Sequence, residues 1–448
     1  MNEPMALSAR AGRMRDALRD SPPLAWSFLY FFCLLSGYYV LRPVRDAMGA
    51  SADAEAVFPP GLVAWAQAHG LTLQDFTLQV LFTGTFICML LLQPAYGWLV
   101  ARFPRRVFLP AVYLLFVACL VGFYFAFHRE LPGRGAVFFI WVAVFNLFAV
   151  SVFWSFMADV FATEQSRQVY GYIGAGGTLG GLAGPVLTKL LVLHGGVANL
   201  MLVSVAFLLV CLLCIVRLGQ WARRAEQARG QRFGEEAMGG SVLEGLRLIA
   251  RDPLLRALSM LMVFGVGVGT LLYNQQREIA LQLGGDAFRT AFYSNLDLWI
   301  NVITLVVQLV LTRSLLTRFG VGNTILIPCF AVVAGYALLA ASPVPLLVAI
   351  VQVATRAGEF SLGKPARETI YTQVDRHARY KAKAAIDTVI YRGSDVAFAW
   401  VHKGLSVFGS HAVFGVGIGV ALMFTFSAWL VRREHARLAD EGTGPDPP

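Results

Sequence analysis

Apolar residues gather along the chain in runs of roughly twenty, divided by short polar stretches, in place of the alternation expected of exposed strands or the one-sided stripe of surface helices. A hydrocarbon layer about 30 Å thick takes about 20 helical residues to cross. On that ruler the chain divides into twelve spans, at residues 24–44, 76–98, 107–127, 136–158, 169–193, 197–216, 256–276, 290–312, 324–341, 344–363, 382–405 and 411–431. Lipid offers no hydrogen bonds to backbone groups, so each run is predicted to be a helix and the fold class all-α, a polytopic membrane protein. The long polar interruption, residues 217–255, follows the sixth span. It separates residues 1–216 from 256–448 as two expected six-helix bundles joined by a cytoplasmic linker.

Composition agrees with this reading and removes others. The chain is 57% hydrophobic and 14% charged, whereas soluble domains carry about 25% charged residues. A net charge of +10 would suit a nucleic-acid binder, but the basic residues are dispersed over alternate connections between spans. One side of the membrane collects Arg102, Arg105, Arg106, Arg167, the arginines of 217–252, Arg313, Arg318, the stretch 364–383, and Arg432, Arg433 and Arg437. The other side is nearly bare: residues 49–75 include Asp53, Glu55 and Asp75 but no lysine or arginine. By the positive-inside rule both termini are expected in the cytoplasm. The first run lacks a small-residue cleavage site and is read as a retained span.

No enzyme is indicated. Cys33, Cys88, Cys119, Cys211, Cys214 and Cys329 all lie in apolar runs, so neither a disulfide framework nor a zinc site is expected. The histidines show no metal-ligand spacing, no strained nucleophile motif is present, and no cofactor is called for. The expected partners are the bilayer and a small-molecule solute, with no nucleic acid polymer.

The chemistry lies in charges placed where lipid disfavours them. Residues 380–400, YKAKAAIDTVIYRGSDVAFAW, have the apolar weight of a span yet contain Lys383, Asp387, Arg392 and Asp395. Each such group costs roughly 2.5–3.5 kcal/mol at bilayer depth and should face protein or water. In an unbroken helix Lys383, Asp387, Tyr391 and Asp395 share one stripe. Asp297 and Asn301 lie one turn apart in the eighth span, Arg356 and Glu359 on one face of the tenth. The first span ends SGYYVLRPVRDAMG, with Arg42, Arg45 and Asp46; Pro43 favours an extended or kinked backbone at Arg42. A ladder of structural ion pairs and the wall of a polar pathway both fit such groups, and their number favours the pathway. Carboxylates at these depths could also carry protons. The run YGYIGAGGTLGGLAGP sets Gly176, Gly177, Gly180, Gly181 and Gly184 on one helix face, where another helix can approach closely.

The two halves also repeat each other. ARFPRRVFLP after the second span is echoed by TRFGVGNTILIP after the eighth, and Arg45-Asp46 after the first by Arg277-Glu278 after the seventh. A parallel repeat of six spans around a central cavity is the arrangement of the major facilitator fold. Within it, YYVLRPVRDAMG and YKAKAAIDTVIYRGSD resemble the ATP/ADP translocase family of plastids and obligate intracellular bacteria. That resemblance implies roles for Arg45, where the family's L-R-x-x-K-D pattern has lysine, and for Lys383, which matches the lysine of a GKAAID-like run. It further implies a distant bacterial member in the inner (plasma) membrane, moving a nucleotide or other phosphorylated metabolite by alternating access. The seventh span departs from the family's acidic pattern, with uncharged Tyr273, Asn274, Gln275 and Gln276. The sequence reading is therefore a secondary transporter of an organic anion, possible proton coupling included. Its rival is a non-transporting sensor or assembly protein.

Overall fold

The computed structural model describes residues 22–102, 105–161, 163–229, 242–371, 373–374 and 376–441, and among them every regular element is helical. Ten stretches are long and apolar enough to cross a membrane. One of these, Val169–Trp221, is 53 residues long and doubles back at Gly196, whose φ of 73° only glycine adopts without strain. It therefore holds the fifth and sixth spans. A further span, Arg376–Ser406 with a π-helical turn at Ile386–Ile390, carries too much charge to be recognised by hydropathy. Among the described residues twelve crossings result, as the length of the apolar runs implies.

The spans are Pro22–Gly49, Thr77–Arg102, Arg105–His128, Arg134–Val160, the two arms of Thr163–Arg229, Pro253–Leu281, Gly285–Arg318, Val321–Ala341, Pro345–Tyr371, Arg376–Ser406 and Ser410–Glu441. Buried apolar side chains form one large cluster drawn from residues 24–218 and another from residues 249–431. A smaller cluster, including Ala47, Leu78, Tyr273, Leu296 and Val353, lies where the two meet.

The first span is held by the fifth at backbone distance. A methyl group on Gly176 would lie 2.7 Å from the Phe28 carbonyl oxygen, and one on Gly184 would lie 2.9 Å from that of Ser36. Gly180 faces the Phe32 carbonyl, Gly177 the Phe31 ring, and Gly181 touches Tyr39 and Asn301. The same contact explains a departure from expectation at Pro43. The helix runs through it unbroken from Pro22 to Gly49, because packing on both flanks outweighs the proline's local preference. On the second flank Ser204 Oγ of the sixth span donates to the Gly37 carbonyl at 2.6 Å.

The two ends of the bundle differ. On the arginine-poor face residues 50–76 fold into short helices, Ala54–Val57 capped by Asp53 and Pro60–Ala68, which seat Val57, Phe58 and Val63 against Leu81 and Phe139. On the arginine-rich face the linker contains the helix Val242–Arg251, which the sequence reading left without structure; residues 230–241 lie outside the described part. Gly245 of that helix packs on the backbone of Lys381, and Glu244 binds Lys381 Nζ at 2.6 Å. Asp252 then caps the seventh span, its Oδ1 accepting from Leu255 N at 3.0 Å.

Candidate functional site

The first, seventh and eighth spans bring a polar cluster to the seam between the two apolar clusters. Arg42 Nη1 lies 3.2 Å from Asp297 Oδ1, and its Nε lies 3.9 Å from Asp46 Oδ2. Arg45 donates twice to Asp46 Oδ1, at 2.9 and 2.6 Å, and Tyr273 donates to the same oxygen at 2.9 Å. Asp46 and Asp297 are buried, and Asp297 Oδ2 has no hydrogen-bond partner. Asn301 Nδ2 donates to the Gly181 carbonyl and to that of Asp297, both at 2.9 Å. Arg42 stacks over Tyr39 and Arg45 over Phe139, so each guanidinium has an aromatic face as well as a carboxylate.

Beside this cluster the seventh, tenth and eleventh spans carry another. Asp395 accepts from Thr270 Oγ1 at 3.0 Å and from Arg392 Nη1 at 3.2 Å. Arg356 lies against the bare backbone of Gly269; among the described residues it forms no hydrogen bond or ion pair, and its Nε is buried and unpartnered. It does not pair with Glu359, three residues on, because the π-helical turn Glu359–Gly363 begins there and Glu359 binds Arg367 at 2.7 Å. At about 1.5 Å per helical residue, Arg42, Tyr273, Asp297, Arg356, Arg392 and Asp395 all lie well inside the bundle, counted from the arginine-poor ends of their helices.

Other residues singled out by the sequence lie elsewhere. Arg277 is buried near the arginine-poor face, donating from Nε to the Gly49 carbonyl at 3.0 Å and from Nη2 to that of Gln74 at 2.6 Å, with Glu278 at 3.3 Å. It ties the seventh span to the end of the first and the start of the second. Lys383 does not pair with Asp387. The π-helical turn at Ile386–Ile390 breaks the repeat on which their common stripe depended, Lys383 Nζ binds Glu368 at 2.6 Å, and Asp387 is exposed.

Sequence reasoning passed over Tyr273, Thr270, Arg367 and Glu368 as members of these networks. Tyr273 and Thr270 carry no charge to draw notice. Arg367 and Glu368 read as solvated residues of a polar stretch.

Contacts between the first six spans and the last six include Arg42 with Asp297, Tyr273 with Asp46, Ser294 Oγ with the Pro185 carbonyl at 2.6 Å, Gln79 Nε2 with that of Ala399 at 3.0 Å, and Arg277 with Gly49 and Gln74. All of these lie between the middle of the bundle and its arginine-poor face. A charged solute reaching the cluster would compete with Asp297 for Arg42 and with Asp46 for Arg45, so that its arrival bears directly on bonds that hold the seam.

Residues 47–363 match the family model for the Major Facilitator Superfamily. Along its length the chain is 23% identical over 467 aligned positions to ADP,ATP carrier protein 1 of Chlamydia trachomatis serovar D, covering 90% of this chain and 86% of that protein. It is 22% identical to the chloroplastic ADP,ATP carrier protein 1 of Arabidopsis thaliana, covering 90% of this chain and 71% of the plant protein. The fold is similar to a POT family transporter solved with 5-aminolevulinic acid, at 12% identity and a TM-score of 0.62 over 92% of this chain and 96% of that one. It is also similar to a bacterial homologue of the human lysosomal transporter Spinster in an inward-facing, unoccupied conformation, at 14% identity and a TM-score of 0.58 over 95% and 100% of the two chains.

Proposed function

Because the chain belongs to the Major Facilitator Superfamily, a family of secondary transporters, we propose that the seam cluster is its solute site and that the solute is an organic anion. The observation that carries this reading is the gathering of Arg42, Arg45, Arg356 and Arg392 inside the bundle, where isolated charge is costly and guanidinium forks match carboxylate and phosphate groups. The similarity to proteins named ADP,ATP carriers makes a nucleotide or other phosphorylated metabolite the particular class to test first.

In this reading residues 1–216 and 256–448 move as two six-span bodies about the seam, supported by their separate apolar clusters. The arginine-rich face is cytoplasmic, in a bacterial inner membrane. An anion at Arg42 displaces Asp297 from its ion pair, and the freed carboxylate is the group through which proton coupling would act in this reading. The purified chain in liposomes should take up at least one of radiolabelled ATP, ADP, AMP, glycerol 3-phosphate and succinate, and Arg42→Gln should lower that uptake about tenfold or more. A folded wild-type protein that moves none of them would remove the proposal.

A further inference from the structure

Arg356 is a half-buried cation inside the bundle whose buried Nε has no hydrogen-bond partner, and among the described residues no carboxylate forms an ion pair with it. Among the described residues the cluster holds four arginines, Arg42, Arg45, Arg356 and Arg392, and three aspartates, Asp46, Asp297 and Asp395. Each aspartate already forms an ion pair with another arginine: Asp46 with Arg45, Asp297 through Oδ1 with Arg42, and Asp395 with Arg392, while Tyr273 and Thr270 donate to Asp46 and Asp395. Glu359, the acidic side chain that shares the cleft around Arg356, is held by Arg367 at 2.7 Å. The rest of that cleft is mainly apolar, with Val268, Pro328, Val332 and Phe424. A guanidinium left so on a membrane helix is a standing cost unless a ligand brings the missing charge. One turn before it, Gln352 is 4% exposed and its Oε1 lacks a donor, an acceptor for a hydroxyl or N–H of the solute body.

We propose that Arg356 is the residue that pairs with the solute's charge, and that the buried part of the solute carries a single negative charge, as a carboxylate or phosphodiester does, in place of a di- or triphosphate chain. This rests on the organic-anion reading above and narrows it. A polyphosphate would bring several charges to a cluster with one unmatched cation, and the excess would have to displace carboxylates from Arg42 or Arg45 or remain unpaired.

The test is thermal unfolding of the purified full-length protein, read by tryptophan fluorescence at matched ionic strength, with benzoate, cyclic AMP, ADP and ATP as probes on wild type, Arg356→Gln and Arg356→Lys. Benzoate or cyclic AMP should raise the midpoint of wild type and Arg356→Lys by a few degrees. In Arg356→Gln the same shift should need at least about ten times more probe. ADP and ATP should give smaller shifts than the best monoanion. Without ligand, Arg356→Gln should melt at or above wild type, since the substitution removes a half-buried charge that has no ion-pair partner among the described residues.

A larger shift from ADP or ATP, a monoanion shift that survives in Arg356→Gln, no shift from either monoanion, or an unliganded Arg356→Gln that melts below wild type would each overturn the proposal. Tight ATP binding would leave organic-anion transport standing, whereas absence of flux for every anion would remove that broader reading. The two therefore fail separately.

Discussion

Replacing Gly176 with alanine perturbs one contact that has no soft side. The added methyl carbon would lie 2.7 Å from the Phe28 carbonyl oxygen, whereas ordinary contact begins at 3.4 Å, so the first and fifth spans would have to part by about 0.7 Å. That oxygen belongs to a helix backbone and cannot rotate away. Gly174, half a turn earlier in the same helix, has nothing within 4 Å of the equivalent methyl. Both substitutions gain about 0.8–1 kcal/mol of helix propensity, which cancels when the variants are compared. The difference between them is then the cost of overpacking, about 1–3 kcal/mol.

Unfolding free energies measured by steric trapping in bicelles would give that difference directly. Gly174→Ala should be as stable as wild type or more so, and Gly176→Ala should fall below it by the overpacking cost. Equal stabilities would refute the argument, because they would mean that the helices separate freely at this contact. A second comparison sharpens it. At Gly177 the methyl meets the Phe31 ring, a side chain, so Phe31→Leu should recover part of the loss from Gly177→Ala, while no single side-chain change should rescue Gly176→Ala.

Arg277→Ala removes two donations to backbone carbonyls across the seam, each worth about 1.5–3 kcal/mol for a charged donor; a cysteine at Ala47 in a cysteine-free background should then react at least about tenfold faster with a membrane-impermeant maleimide, and an unchanged rate would show that the seam does not depend on this tie. Lys383→Gln breaks a pair whose side chains are 34% and 44% exposed, so the melting midpoint should hold within error; a large fall would mean that the bridge to Glu368 is structural. For orientation, His69→Cys should be labelled from outside intact cells and Asn323→Cys should be shielded, and the reverse pattern would invert the proposed topology.

The sequence by itself determined the number and helical nature of the crossings, because hydrocarbon thickness and the need to satisfy backbone groups act on each apolar run separately. It also marked the residues whose charge is out of place, from Arg42 to Asp395, since desolvation cost depends on depth and depth follows from position in a run. Which of those charges meet was decided by tertiary structure. Two π-helical turns, at Glu359–Gly363 and Ile386–Ile390, shift the faces on which Glu359 and Asp387 emerge. Arg367 and Glu368, in the last turns of the span Pro345–Tyr371, then supply partners to Glu359 and Lys383. Arg277 reads in sequence as the counterpart of Arg45, yet it binds carbonyls at the arginine-poor face while Arg45 holds a buried carboxylate. The physical reason is range: a membrane crossing is a property of about twenty consecutive residues, whereas an ion pair such as Arg42 with Asp297 forms within 4 Å between residues 255 positions apart (297 − 42), and only the packing of helices brings them together.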